Sequence, residues 1–71
     1  MDVRNQFPIL KFFKYEHLPP VLQEISKPFC TLAESMVDGV EKDVFFNRAE
    51  VAATLRKLLE AKDCAVRAAI K

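Results

Sequence analysis

The chain of 71 residues contains a single glycine, Gly39, and this feature most restricts what it can fold into. Sheets joined by tight turns use glycine, Asn-Gly or Asp-Gly repeatedly, because the turn positions need positive φ angles. Only Asp38-Gly39 supplies such a pair. The second half of the chain is dominated by alanine, leucine, lysine, glutamate and arginine, which are strong helix formers. The sequence therefore predicts an all-α protein.

The N-terminal half divides at a pair of prolines. We predict an irregular arm over residues 1–18, because Pro19-Pro20 ends whatever precedes it and suits the first turn of a helix. Helix 1 is predicted over residues 19–39. Pro28 lies inside this helix, so we expect either a kink or a new helical segment that Ser26 caps.

The C-terminal half is predicted to be a loop and one long helix. Gly39 is expected to end helix 1 in the left-handed conformation. Residues 40–47 form the predicted loop, in which Phe45-Phe46 should anchor the connection against the bundle. Asn47 is the expected N-cap of helix 2, predicted over residues 48–70. Two helices joined by a short loop make an antiparallel hairpin, so we predict one helical-hairpin domain over residues 1–71.

Both predicted helices carry apolar stripes that are wider than the single seam of a hairpin. In helix 1 the apolar face is predicted to comprise Leu22, Ile25, Phe29, Leu32 and Met36, at intervals of three and four residues. In helix 2 the apolar positions are Val51, Ala52, Leu55, Leu58, Leu59, Ala65, Val66 and Ala69. Because large exposed apolar patches mark association surfaces, we expect a compact homo-oligomer.

Charge and cysteine usage restrict the class of protein further. A formal net charge of +1 lacks the basic excess of a general nucleic-acid binder. The apolar runs are too short for a membrane span, and the first residues do not resemble a signal peptide. Cys30 and Cys64 have no metal-ligand spacing and lie in apolar helical patterns, so we predict two reduced core thiols. These features favour a soluble intracellular protein.

No arrangement of residues in the sequence predicts catalysis. His17 is the only histidine, and the sequence has no phosphate-binding glycine loop and no metal motif. We therefore predict a protein that is not an enzyme and needs no cofactor or metal. The arm is the most distinctive region, because the aromatic residues Phe12 and Tyr15 alternate with Lys14 and precede His17. Either these aromatic side chains pack onto the helices, or they form a ligand-facing patch that stacks on bases while lysines meet phosphates.

Lys62 is unusual because it falls within the apolar stripe of helix 2. It lies four residues after Leu58 and three before Ala65. Such a lysine either lays its aliphatic chain along the apolar surface so that its amino group reaches water, or pairs with an acidic group across an interface.

Several stretches of the chain are distinctive in combination. The first half contains Tyr15-Glu16-His17-Leu18-Pro19 and the segment Ser26-Lys27-Pro28-Phe29. The second half contains Leu-Arg-Lys-Leu-Leu-Glu-Ala-Lys-Asp over residues 55–63, followed by Ala65-Val66-Arg67-Ala68. With these motifs, residues 12–69 resemble the helical-hairpin sponge proteins that phages use against CBASS immunity.

This resemblance implies a phage-encoded homohexamer that acts in the host cytoplasm. The family captures cyclic di- and trinucleotide second messengers, such as 3′,3′-cyclic GMP-AMP and cyclic tri-adenylate, without degrading them. The resemblance implies that Tyr15 and Lys27 contact a dinucleotide between protomers. It assigns Arg67, with Arg48 as the second choice, to a trinucleotide pocket. The alternative function, based on the apolar stripes, is a helical protein–protein interaction module without a small ligand.

Overall fold

The computed structural model describes residues 3–70, and all regular structure in that range is helical. Helix α1 spans Pro20–Glu41 and helix α2 spans Arg48–Ala69. The two helices pack against each other, which confirms the all-α prediction with two long helices. In that same range, no helix is long and apolar enough to cross a membrane.

The described part of the arm, residues 3–18, is folded and forms part of the core, which differs from the predicted irregular segment. It folds into two short 3₁₀ helices, Val3–Gln6 and Pro8–Phe13, and the second one contacts both α1 and α2. Phe13 is fully buried and Phe7 is nearly so. Burying a phenylalanine contributes about 1.5–3 kcal/mol, so these two side chains hold the arm in place. The remaining buried apolar residues are Ala33, Val37, Val40, Val51 and Leu55.

The buried face of α1 is displaced by one position from the predicted one. Leu32 is 50% exposed, whereas the next residue, Ala33, is fully buried. Likewise Val37 is fully buried, while Met36 packs only at the edge of the core. One residue corresponds to a rotation of about 100° around a helix. The small side chain of Ala33 faces inward because the bulky arm phenylalanines occupy the same core cluster.

Gly39 does not end α1, contrary to the prediction. The helix continues to Glu41, and the residue with a positive φ angle, 63°, is Asp43. The amide of Asp43 donates to the Val40 carbonyl at 3.1 Å, and that of Val44 donates to the Gly39 carbonyl at 2.8 Å. These two bonds are the Schellman pattern, in which an aspartate takes the place usually filled by glycine.

Glycine is needed at position 39 for a different reason, which is the close approach of an aromatic ring. A Cβ atom on Gly39 would lie 2.6 Å from the Cδ2 atom of Phe45. Phe45 therefore packs over α1 and anchors the loop as predicted. Phe46 does not, since its side chain is 84% exposed.

The remaining helix boundaries follow from local chemistry. Asn47 caps α2 as predicted, because its Oδ1 accepts from the Glu50 amide at 3.0 Å. Helix α1 runs through Pro28 as one element, so Ser26 lies within the helix and does not cap a new segment. The kink expected at Pro28 stays a prediction.

The Gly39→Ala substitution tests the contact with Phe45. Alanine favours a helix interior by about 1 kcal/mol over glycine, but here its methyl group displaces the ring. In a Phe45→Ala background, Gly39→Ala should raise the free energy of unfolding by about 1 kcal/mol. In the wild-type background that gain should vanish or reverse, with a coupling of about 1 kcal/mol or more in urea titrations. Equal effects in the two backgrounds would show that ring and glycine do not interact.

Candidate ligand-binding site

A groove of about 390 Å³ lies between the arm and the C-terminal half of α2. Cavities of roughly 300–1,000 Å³ are typical of small-molecule sites. We call this cavity the arm groove. Its lining consists of Lys11, Phe12, Lys14, His17, Leu18, Ser26, Lys62, Asp63, Val66 and Arg67.

The arm groove concentrates positive charge in a chain that is nearly neutral overall. Four basic side chains line it, Lys11, Lys14, Lys62 and Arg67, against the single carboxylate of Asp63. The whole chain carries a formal net charge of only +1. A cleft of one sign of charge focuses the field and raises the local concentration of an oppositely charged ligand. The groove is therefore suited to an anion.

An aromatic ring is exposed at the same groove. Phe12 is 54% exposed, and the Nζ atom of Lys11 lies 5.2 Å from the centre of its ring. A cation over an aromatic face is a favourable contact, and an exposed ring can also stack on a nucleobase. Phe12 thus adds a surface for flat ligands beside the cations.

Lys62 ties the arm to α2, which neither sequence-based alternative anticipated. Its side chain is only 12% exposed. Its Nζ donates to the carbonyl oxygen of Phe12 at 2.6 Å and lies 5.8 Å from the centre of the Phe13 ring. Asp63 lies beside it, with 3.9 Å between Nζ and Oδ1. The hydrogen bond from Lys62 therefore holds the backbone of Phe12 against α2.

A short turn at the end of the arm presents His17 and Leu18 to the groove. The Leu18 amide donates to the Tyr15 carbonyl at 3.0 Å and closes the turn. From α1, Gln23 donates through Nε2 to the Leu18 carbonyl at 2.7 Å and to the Glu16 carbonyl at 3.3 Å. These bonds hold the turn against α1, so the wall of the groove formed by the turn is fixed from two sides.

The two cysteines have different environments, and only one is partly buried as expected. Cys64 is exposed, so the prediction of a core thiol is wrong there, and its Sγ lies 3.3 Å from Nη2 of Arg67. Cys30 is half-buried, and its thiol donates to Oε1 of Glu34 at 3.6 Å. Burial and the nearby Glu34 carboxylate raise the pKa of the Cys30 thiol.

Four of the seven residues predicted to bind ligand meet in the arm groove: Phe12, Lys14, His17 and Arg67. The other three do not line it. Lys27 lies in a separate apolar groove along α1, Tyr15 is half-buried beside the turn, and Arg48 donates to Oε1 of Gln6. The role assigned to Tyr15 and Lys27 requires a second protomer and stays a prediction.

Six residues that line the groove were not among the predicted ligand-binding residues: Lys11, Leu18, Ser26, Lys62, Asp63 and Val66. Lys11 alternates with the arm aromatics just as Lys14 does, so its spacing was a usable signal. Ser26 carried no such signal, because a serine two residues before a proline is a candidate helix cap.

Comparisons with models of known protein families, with curated proteins and with solved structures find no match to this chain. The chemistry of the site therefore has to be inferred from its own residues. Within residues 3–70, histidine, cysteine, aspartate and glutamate side chains form no cluster that could hold a metal ion. The arm groove offers cations, one exposed ring and a single imidazole, which together suit binding of a phosphate-bearing aromatic ligand.

Replacing Lys62 by methionine tests its role in holding the arm. Methionine keeps most of the stem but removes the donor to the Phe12 carbonyl, so we expect a loss of about 1–2 kcal/mol in the free energy of unfolding. Hydrogen exchange should show faster amide exchange in residues 8–13. The matched control is Lys57→Met, which removes an exposed lysine from the same helix. Equal losses in both variants would contradict the assigned role.

The thiols should differ in reactivity toward iodoacetamide. A raised pKa leaves less thiolate on Cys30 at a given pH, and the thiolate is the reactive form. Cys64 is also more exposed, so we expect it to be alkylated several times faster at pH 8. Mass spectrometry of peptides from a timed digest measures both rates in one sample. Equal rates, or faster labelling of Cys30, would contradict the described environments.

Proposed function

We propose that this chain binds and sequesters cyclic di- or trinucleotide second messengers without cleaving them. In this role it acts as a phage anti-defence protein against CBASS-type immunity in the host cytoplasm. The observation that carries the proposal is the convergence of Lys11, Lys14 and Arg67 with the exposed Phe12 ring on one groove. The resemblance of residues 12–69 to phage sponge proteins names the class of ligand.

The chemistry of the arm groove matches the parts of a cyclic oligonucleotide. Its phosphates would meet Lys14 and Arg67, and hydrogen bonds between charged partners are about twice as strong as neutral ones. A base would stack on Phe12, which contributes about 1–3 kcal/mol. A ligand with several phosphates and several bases combines both contributions, whereas a simple anion provides only the first.

Sequestration needs tight binding and no chemistry. Capture at one ligand per site lowers the free concentration of a messenger as long as the capturing protein is abundant. No acid, base or nucleophile is required for that effect. The protein is therefore proposed to remove one messenger molecule per binding site, and the released ligand should be chemically unchanged.

The proposal includes self-association, with a homohexamer as the form implied by the resemblance. The chain exposes 5069 Å² of surface, against about 4,500 Å² expected for a compact protein of its mass. Exposed apolar side chains contribute to this surface: Val21 is 64% and Leu32 is 50% exposed. In such an assembly Tyr15 and Lys27 would form a second, dinucleotide pocket between protomers.

A second candidate function is a helical module that binds another protein and no small ligand. The observation in its favour is the apolar loop, where Phe46 is 84% and Val44 is 62% exposed. Such a module would depend on these side chains and would be insensitive to loss of the groove cations.

Calorimetric titration with 3′,3′-cyclic GMP-AMP, cyclic di-GMP and cyclic tri-adenylate tests the proposed function. We expect binding of at least one of them, and recovery of intact ligand after heat denaturation of the complex. The double variant Lys14→Ala/Arg67→Ala should bind at least about 100-fold more weakly, since it loses two charged hydrogen bonds that are each worth about 1.5–3 kcal/mol. The control Lys57→Ala removes an exposed lysine outside the groove and should retain affinity.

Three results would count against the proposal. If none of the cyclic oligonucleotides binds, the sponge function is wrong. Recovery of cleaved ligand would make the protein an enzyme. Loss of binding in Tyr15→Ala/Lys27→Ala, with full binding in Lys14→Ala/Arg67→Ala, would move the site from the arm groove to the interface between protomers. Light scattering on each variant separates these effects from changes in assembly.

A further inference from the structure

Ser26 has an unusual environment for a buried polar side chain. It is fully buried, and its Oγ atom has no hydrogen-bond partner. It is the one such side-chain atom found within residues 3–70. Buried polar groups are nearly always hydrogen-bonded, because leaving one without a partner costs stability. An isolated buried hydroxyl therefore calls for an explanation.

A serine within a helix has an easy way to satisfy its hydroxyl, which is to donate to the carbonyl four residues earlier. Two other hydroxyls in this chain do so. Ser35 donates to the Thr31 carbonyl at 3.0 Å, and Thr54 donates to the Glu50 carbonyl at 2.9 Å. Ser26 does not, although it lies inside α1. Its hydroxyl remains available for a partner from outside the chain.

The location of Ser26 indicates what that partner is. Ser26 is the one residue that α1 contributes to the lining of the arm groove. Apolar side chains of Phe12, Leu18 and Val66 line the same groove. A flat aromatic ring with a polar edge fits this arrangement, because its faces meet apolar side chains while its edge meets the hydroxyl.

We propose that Ser26 determines specificity by hydrogen bonding the polar edge of a nucleobase inserted into the arm groove. This inference rests on the proposed function and adds to it how the base is recognised. The phosphates stay with the groove cations, and the base reaches Ser26. The hydroxyl is covered in the unliganded chain, so the base has to displace a wall.

Removal of the hydroxyl should weaken ligand binding without lowering the stability of the unliganded protein. In Ser26→Ala the unpaired group is gone, so the unliganded protein should melt at the same temperature or a few degrees higher. Its affinity for the ligand should nevertheless fall about 5- to 10-fold, which is the loss of one hydrogen bond. A side chain that is only structural would instead lower the melting temperature when truncated.

The experiment measures melting temperature and calorimetric affinity for wild type, Ser26→Ala and Ser26→Cys. The probe is 3′,3′-cyclic GMP-AMP or cyclic tri-adenylate, whichever the wild type binds more tightly. Ser26→Cys keeps a side chain of similar shape with a weak donor, so its affinity should lie between the other two. Ser35→Ala is the matched control, because it removes an exposed hydroxyl from the same helix. Its affinity should equal that of the wild type.

The dependence of affinity on salt adds a second readout. Each phosphate contact steepens the decrease of affinity with salt concentration. Ser26→Ala removes no phosphate contact, so it should bind more weakly at every salt concentration while the slope of log affinity against log salt stays unchanged. Unchanged affinity in Ser26→Ala, a changed slope, or a lower melting temperature of the free variant would each overturn the inference. A wild type that binds neither probe would instead refute the proposed function itself. The two failures are therefore distinguishable.

Discussion

Two helices in contact share one seam, and a chain of 71 residues cannot surround a core with one seam alone. The arm provides the missing wall, because Phe7 and Phe13 are buried against both helices. The orientation of α1 and the candidate site depend on this packing. The arm groove exists only because the arm is docked, and Lys62 holds the end of the arm to α2 through the Phe12 carbonyl.

The helices were predictable because the residues at which they begin have strong local signals. Prolines start α1, and Asn47 with Glu50 starts α2. The orientation of α1 was not predictable in the same way. Counting large apolar residues selects Leu32, but the arm places its own bulk in the core and leaves space there for Ala33. The end of α1 was predicted wrongly for a similar reason. Gly39 was expected to end the helix by adopting the left-handed conformation, but glycine is needed there because the Phe45 ring leaves no room for a Cβ atom.

The candidate site was predictable only in part, because its residues come from segments that are far apart in the sequence. Alternation of aromatic and basic residues marked the arm, and Phe12, Lys14 and His17 do share a groove. That Arg67 joins them depends on the packing of α2 against the arm, which local patterns do not encode. Ser26 could not be recognised at all from sequence, because its significance lies in a hydrogen bond that the folded chain does not make.

The bond between Lys62 and the Phe12 carbonyl connects residues that are 50 positions apart in the chain. A ligand in the adjacent groove would bridge the same two distant segments. Occupancy and folding are then thermodynamically linked, because a ligand that binds only the folded chain adds its binding free energy to the free energy of unfolding. A small protein with a modest core would in this way draw part of its rigidity from the molecule it captures.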